Sequence, residues 1–292
     1  MCVAPSNKVK IARSMLAAPT RVKPPTTVLA LLALAACYTG VITGMIQQWS
    51  NDEDMGHGFF VPFVAAWIIW RKRERWQNDQ SRPSNWGFLI LTAGALLQIL
   101  SALGAGLFAG SVSLLVSLIG LVVAIWGFER LRSWAFPLLL LVFMLPKLAI
   151  VYNQVTLPLQ LLASRLAAGM LTASGFGVIR EGNILDVGGH KIAVAEACSG
   201  IRFLLPLAFM ATVFGYFTDP RAWMRLVLMA AAVPIAIVAN GLRVAMAGAW
   251  PYFAEGTPHE VSGLIIFVAC LATLPAARLL AGAAHQRLIR HA

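Results

Sequence analysis

Apolar residues in this chain come in long runs separated by short polar or basic segments, and the pattern repeats from Val28 to Gly282. A helix needs about twenty apolar residues to cross the hydrocarbon core of a bilayer, so the pattern predicts an all-α polytopic membrane protein. Taken in order, the runs predict eight crossings, at about 28–46, 58–70, 86–104, 111–128, 134–151, 200–217, 226–249 and 261–282. Two stretches break the rhythm. Pro158 to Ser174 is interrupted by Gln160, Ser164 and Arg165, which predicts an amphipathic helix lying on the outer face. Residues 176–195 turn to strand-forming positions, Val178, Ile179, Ile184, Leu185, Val187, Ile192 and Val194, punctuated by Gly182-Asn183 and Gly188-Gly189. That alternation predicts a small β-hairpin just before Cys198.

Charge orients the spans, because Lys and Arg collect in cytoplasmic loops. Residues 1–27 carry Lys8, Lys10, Arg13, Arg21 and Lys23 without an acid, and read as a basic cytoplasmic leader. The loop 47–57 holds Asp52, Glu53, Asp54 and His57 without Lys or Arg, and belongs outside. With eight crossings, Arg71, Lys72, Arg73, Arg75, Arg130, Arg132, Arg221, Arg225, Arg287 and Arg290 all fall inside. A crossing by Pro158 to Ser174 in addition would put Arg221 and Arg225 outside, against the rule. Leu34-Ala35-Ala36-Cys37 has the form of a lipoprotein cleavage box. The apolar segment nevertheless continues from Tyr38 to Ile46, which predicts an uncleaved first helix. The expected organisation is leader 1–27, transmembrane domain 28–283 and a short cytoplasmic tail 284–292.

Composition agrees: 59% of residues are hydrophobic and 12% charged, against about 25% charged in a soluble domain. The net charge of +11 is spread over short segments beside apolar runs, and no nucleic-acid motif accompanies it. Of four cysteines, Cys2 is terminal and Cys37 and Cys270 lie in apolar runs. Only Cys198 borders a polar loop, so no disulfide framework is implied. No metal or cofactor is called for, and the sequence does not give the oligomeric state.

Candidate chemistry gathers in the last third of the chain. In Glu196-Ala197-Cys198-Ser199-Gly200-Ile201-Arg202 a cysteine stands where a helix is expected to open, at about Ser199. A thiol acts as a nucleophile only as thiolate, which a helix N-terminus and a nearby cation both favour. The bland reading is a cysteine buried at a loop-to-helix junction. Within span seven, Asn240-Gly241-Leu242-Arg243 places an arginine inside the apolar segment, costly unless it is paired, faces a wet cavity or snorkels to the headgroups. Asn240 shares its face, three residues earlier. Three histidines belong to the outer side: His57, His190 and His259. His259 opens span eight and is fixed by helix geometry; His190 sits in the hairpin turn; His57 lies between two glycines.

EACSGIR, then NGLRV, then His259 with Gly263 four residues on, in that order over the last three spans, resembles the exosortase/archaeosortase family. MGHGFFVP before WRKRERW also resembles that family's amino-terminal half, so the likeness covers about 28–283. The family is regarded as membrane-embedded cysteine transpeptidases of the bacterial inner membrane. They act on anchored proteins bearing a carboxy-terminal sorting signal: a short Pro-Glu-Pro-like motif, a transmembrane helix and an Arg-rich tail. The resemblance implies Cys198 as nucleophile, His259 as acid/base and Arg243 as the group that stabilises charge, near the outer face. Glu196 is then placed to orient His259 or to pair with Arg202 or Arg243. The chain ends soon after span eight, so the extra carboxy-terminal domain of some longer exosortases is not expected. The competing class is a non-enzymatic transporter or assembly scaffold, in which Arg243, Asn240, Pro206 and Pro234 mark a pathway of broken helices, although no inverted repeat is evident. A lipid-linked-sugar or acyl transferase would carry outer-loop carboxylates or clustered histidines.

Overall fold

The computed structural model describes residues 24–73, 82–194 and 200–291. Most of the leader 1–27, Arg75, and the three site candidates Glu196, Cys198 and Ser199 lie outside the described residues. The chain divides into two compact units: one of residues up to Asp52 and from Gly58 to Pro146, the other of Glu53–His57 and the chain from Lys147 onward.

The first unit holds α1 (Pro24–Cys37), α2 (Thr39–Asn51), α3 (Phe60–Arg71), α4 (Trp86–Leu100), α5 (Gly106–Ser133) and α6 (Ala135–Leu140). The first span, expected as one helix, is a pair bent by 71° at Tyr38. The bend has an anchor: the Tyr38 hydroxyl lies 2.7 Å from Ser113 Oγ and 2.8 Å from Ser117 Oγ, buried against α5. A phenol in an apolar interior needs such partners. Helices α4 and α5 are antiparallel and in close contact, with Gly87 against Ala124 and Gly94 against Ser117. Small residues let membrane helices approach backbone to backbone in this way. The chain reverses through Ser101–Ala105, where Gly104 takes φ +125°.

The second unit holds α7 (Ala149–Ala173), β1 (Val178–Glu181), β2 (Ile184–Val187), β3 (His190–Ala193), α8 (Ile201–Thr218), α9 (Ala222–Ala249) and α10 (Gly256–His291). Here the sequence expectation moves. The break falls at Leu145–Leu148, around Pro146, and α7 runs unbroken for 25 residues, long and apolar enough to cross. Gln160 and Ser164, which looked like interruptions of an apolar run, lie on the buried face with Thr156, Ala163, Ala167 and Leu171. Polar residues one turn apart were turned toward protein, not water.

The expected hairpin has a third strand. The order is β1-β2-β3, antiparallel throughout, with Val178 opposite Val187 and Val187 opposite His190. The second turn is two residues, Gly188-Gly189, both at positive φ. Only glycine takes that pair of conformations without strain, and it matches the twist of the flanking strands. The sheet lays Leu185, Val187 and Val194 on Ala163, Ala167 and Leu171 of α7 and on Val244 and Ala245 of α9.

Helix α9 is the axis of this unit. Close contacts at Leu166/Gly241 and Leu171/Gly248 make α7 parallel to it. Contacts at Gly200/Asn240 and Gly215/Arg225 make α8 antiparallel, and those at Arg243/Gly263 and Met224/Gly282 make α10 antiparallel. Phe203, Leu207 and Ala211, Ala232, Ala236 and Ala239, and Ile266, Cys270 and Leu274 fill the space among α8, α9 and α10. The C-termini of α7 and α9, the N-termini of α8 and α10, and the sheet therefore share one end.

Five helices among the described residues are long and apolar enough to cross a membrane, or six if the bent pair counts as one. One of the five, Trp86–Ser133, doubles back at Gly104 and supplies two antiparallel helices. Two of the eight expected spans are short: α3 has 12 residues, and α6 with the turn that follows covers only Ala135–Met144. The chain is a multi-pass helical membrane protein; its helices do not reproduce the count of eight.

Candidate active site

The motif Asn240-Gly241-Leu242-Arg243 makes one contact with each neighbour of α9. A Cβ on Gly200 would stand 3.2 Å from Asn240 Cβ, so Asn240 fits against a bare backbone at the start of α8. Gly200 has φ +89° and caps that helix. Glycine is required there twice over, by the left-handed conformation and by the space. Gly241 admits α7: a Cβ on it would meet Leu166 at 2.9 Å. Leu242 is exposed on the outside of the bundle. Arg243 turns toward α10, where Gly263 leaves room; a Cβ on Gly263 would stand 3.2 Å from the guanidinium carbon.

Arg243 is 3% exposed, and its guanidinium lies over the Phe203 ring at 5.3 Å. It does not extend to the surface as snorkelling would require. A cation over an aromatic face gains about 0.5 to 2 kcal/mol, the more so when desolvated. The guanidinium lines an open cleft of about 230 Å³ with Arg202, Phe203, Pro206, Glu260, Gly263, Leu264 and Phe267. Here the arginine sits in an apolar wall that borders an open cleft, an opening that makes its burial less costly.

His259 lies in the first turn of α10, half-buried, in electrostatic range of Arg243, Arg202 and Glu260. Its Nδ1 donates to the Phe253 carbonyl, 2.8 Å away, in the short turn Pro251–Phe253. A carbonyl can only accept, so Nδ1 carries the proton in the neutral ring and Nε2 keeps a lone pair. That is the form a general base needs, with the backbone setting the tautomer. Arg202, on the first turn of α8, pairs with the Glu53 carboxylate and approaches Asp54 at 3.8 Å. Thus the Nδ1 of His259 and the guanidinium of Arg202, two partners considered for Glu196, engage Phe253 and Glu53.

The helix after Cys198 begins at Ile201, two residues later than Ser199, with the backbone carbonyl of Gly200 accepting from Phe203 and Leu204. No side chain among the described residues caps it. His190 begins β3 and is exposed. His57 is buried in the short turn Gly56–Phe59 and does not line the cleft. The structure thus brings Gly200, Arg202, Asn240, Arg243 and His259 to one end of the second unit. Sequence reasoning missed Glu260, Phe203, Leu264 and Phe267 in the cleft wall, and Asp54 beside Arg202, and gave Pro206 only as a mark of the transporter reading. Glu260 had a signal, its place directly after His259. Asp54 had none, being far away in sequence.

No curated protein and no solved structure matches this chain. The model of the transmembrane exosortase family (Exosortase_EpsH) matches residues 49–275, which includes the acidic loop, EACSGIR, NGLRV and His259. A match over that length places the chain in the transmembrane exosortase family.

Proposed function

We propose that this protein is a cysteine peptidase or transpeptidase working within the bacterial inner membrane. It cleaves the carboxy-terminal sorting signal of exported, membrane-anchored proteins, with its site toward the outer face. The observation that carries the reading is the cleft beside Arg243, at the end of α8 where the chain emerges two residues after Cys198. Cys198 thiolate attacks the scissile carbonyl carbon. The carbonyl electrons move to oxygen, and Arg243, with the backbone N–H groups at the start of α8, opposes that charge. His259 Nε2, having taken the thiol proton, returns it to the departing amine as the C–N bond breaks, leaving a thioester on Cys198. Water or an amine then attacks the thioester, gives its proton to His259, and expels the thiolate. A substrate anchored in the same bilayer reaches this cleft without a soluble binding domain.

The test is co-expression with a protein ending in a sorting signal, a single transmembrane helix and a basic tail, followed by its length. The intact enzyme shortens it. With Cys198→Ala it persists at full length, and with Cys198→Ser nearly so, since a hydroxyl needs stronger base assistance than a histidine suited to a thiol provides. His259→Ala behaves like Cys198→Ala, whereas the exposed His190→Ala keeps processing. Wild-type cleavage in the Cys198→Ala strain removes the peptidase assignment and leaves a transporter or scaffold.

A further inference from the structure

The acidic loop at the head of the family match is not a solvated linker. Glu53–His57 clusters with the second unit, while its sequence neighbours on either side belong to the first. Asp54 is 8% exposed, and its Oδ2 accepts from Lys147 Nζ and Tyr152 OH, each at 2.8 Å. Lys147 also stacks over the Tyr152 ring at 4.1 Å. The other carboxylate oxygen, Oδ1, faces Arg202 Nε at 3.8 Å, while Glu53 pairs with Nη2 of the same guanidinium. Arg202 and Arg243 line one cleft. Two guanidiniums brought together repel, and the repulsion grows as water is excluded, so one of them needs a fixed counter-charge to stay. Glu53 is largely exposed, and an exposed pair is worth at most about 1 kcal/mol. Asp54 is fixed from behind by two donors and has little freedom to follow solvent.

We propose that Asp54 is a positioning residue for the cleft: held by Lys147 and Tyr152, it fixes Arg202 at the cleft wall beside Arg243. The proposal rests on the peptidase reading of that cleft. It makes a loop near the start of the chain a working part of a site otherwise built from the last three helices. Asp54 touches no substrate; it acts only through Arg202.

The experiment is a double-mutant cycle on processing rate, in the full-length protein in its membrane. Asp54→Asn keeps the shape and removes the charge, and lowers the rate about tenfold or more, as misplacement of a positioning group does. Asp54→Glu, which restores the charge, recovers part of it. Arg202→Gln lowers the rate at least as far. The double variant Asp54→Asn/Arg202→Gln is no slower than Arg202→Gln alone, because an effect transmitted through Arg202 disappears when Arg202 is gone. Should Asp54→Asn fail to accumulate, Tyr152→Phe removes one tie without touching the charge. Its smaller loss, about threefold, likewise vanishes in the Arg202→Gln background. Losses that multiply in the double variants, or a full rate in a well-accumulated Asp54→Asn protein, overturn the proposal. Cys198→Ala run alongside separates the two readings: if it still processes, the peptidase reading fails; if it is dead while the cycle is additive, only the role of Asp54 fails.

Discussion

The two ends of the α8–α10 bundle each bury a charge, and they treat it in opposite ways. At the α8–α9 turn, Asp219 is 2% exposed and wrapped in donors. Arg221 grips it through Nε at 2.9 Å and Nη2 at 2.7 Å, the Arg221 backbone N–H adds a bond at 2.9 Å, and Arg278 approaches at 3.6 Å. Arg225 closes the turn by donating to the carbonyls of Asp219 and Pro220. At the opposite end Arg243 rests on an aromatic face and a glycine, with a cleft beside it. A two-toothed arginine–carboxylate pair holds a turn together. On the proposed function, the Arg243 guanidinium beside the cleft opposes the charge that develops on the substrate. If the proposed function holds, the same helices carry a structural end and a chemical end, and perturbing one should read out as stability and perturbing the other as rate.

The largest effect should come from Arg243→Lys. Lysine keeps the positive charge but loses the planar fork and its several donors. Loss of a preorganised donor to a developing oxyanion costs about 10²- to 10³-fold in rate. Processing should fall by that amount while the protein accumulates normally, measured as product formed per enzyme on the same blot. Processing near the wild-type rate would mean that Arg243 serves only packing, and the contrast between the ends would collapse.

A finer test uses one helix. Gly263 and Gly282 both lie on α10, but a Cβ at Gly263 would press the Arg243 guanidinium at 3.2 Å, whereas one at Gly282 would only touch Met224 Cε at 3.9 Å. Both changes to alanine favour the helix by about 1 kcal/mol in intrinsic propensity. Gly263→Ala should therefore lower processing by about tenfold through a shift of a few tenths of an ångström, without lowering the melting temperature in detergent. Gly282→Ala should leave processing unchanged and raise the melting temperature slightly. Equal effects at the two positions would deny that the cleft is the sensitive end.

The contrast between ends was half legible in the sequence. NGLR and the histidine opening the last helix stood out because polar residues inside apolar runs are costly and ask for a reason. The glycine-rich turns of the sheet were legible for a similar reason, since they are local conformational signals. The reading missed whatever depends on long-range packing. Gln160 and Ser164 looked like interruptions because sequence alone does not say which face of a helix meets protein. The bend at Tyr38 depends on serines in α5. Asp54 looked like an outer-loop charge, and its partners Lys147 and Tyr152 lie more than ninety positions away.

The smallest effect, and the most specific, belongs to the structural end. The Arg221 guanidinium and backbone N–H hold the Asp219 carboxyl well below the usual carboxylate range, with Arg278 adding to the pull. A carboxylate whose pKa is lowered in the folded state contributes stability at any pH above its unfolded value, about 3.9, and loses it as pH falls toward the folded value. Asp219→Asn removes that contribution outright. The wild type should therefore melt above the variant by a constant margin from about pH 5 to pH 8, and the margin should shrink only below about pH 4, as the unfolded carboxyl takes up its proton. Processing per folded molecule should be the same in both proteins throughout, since Asp219 belongs to the end remote from the cleft. A margin that varied between pH 5 and pH 8 would point to a group titrating near neutrality. A fall in processing matching the fall in stability would show that the two ends are coupled through α9, and that the division between a structural and a chemical end is too sharp.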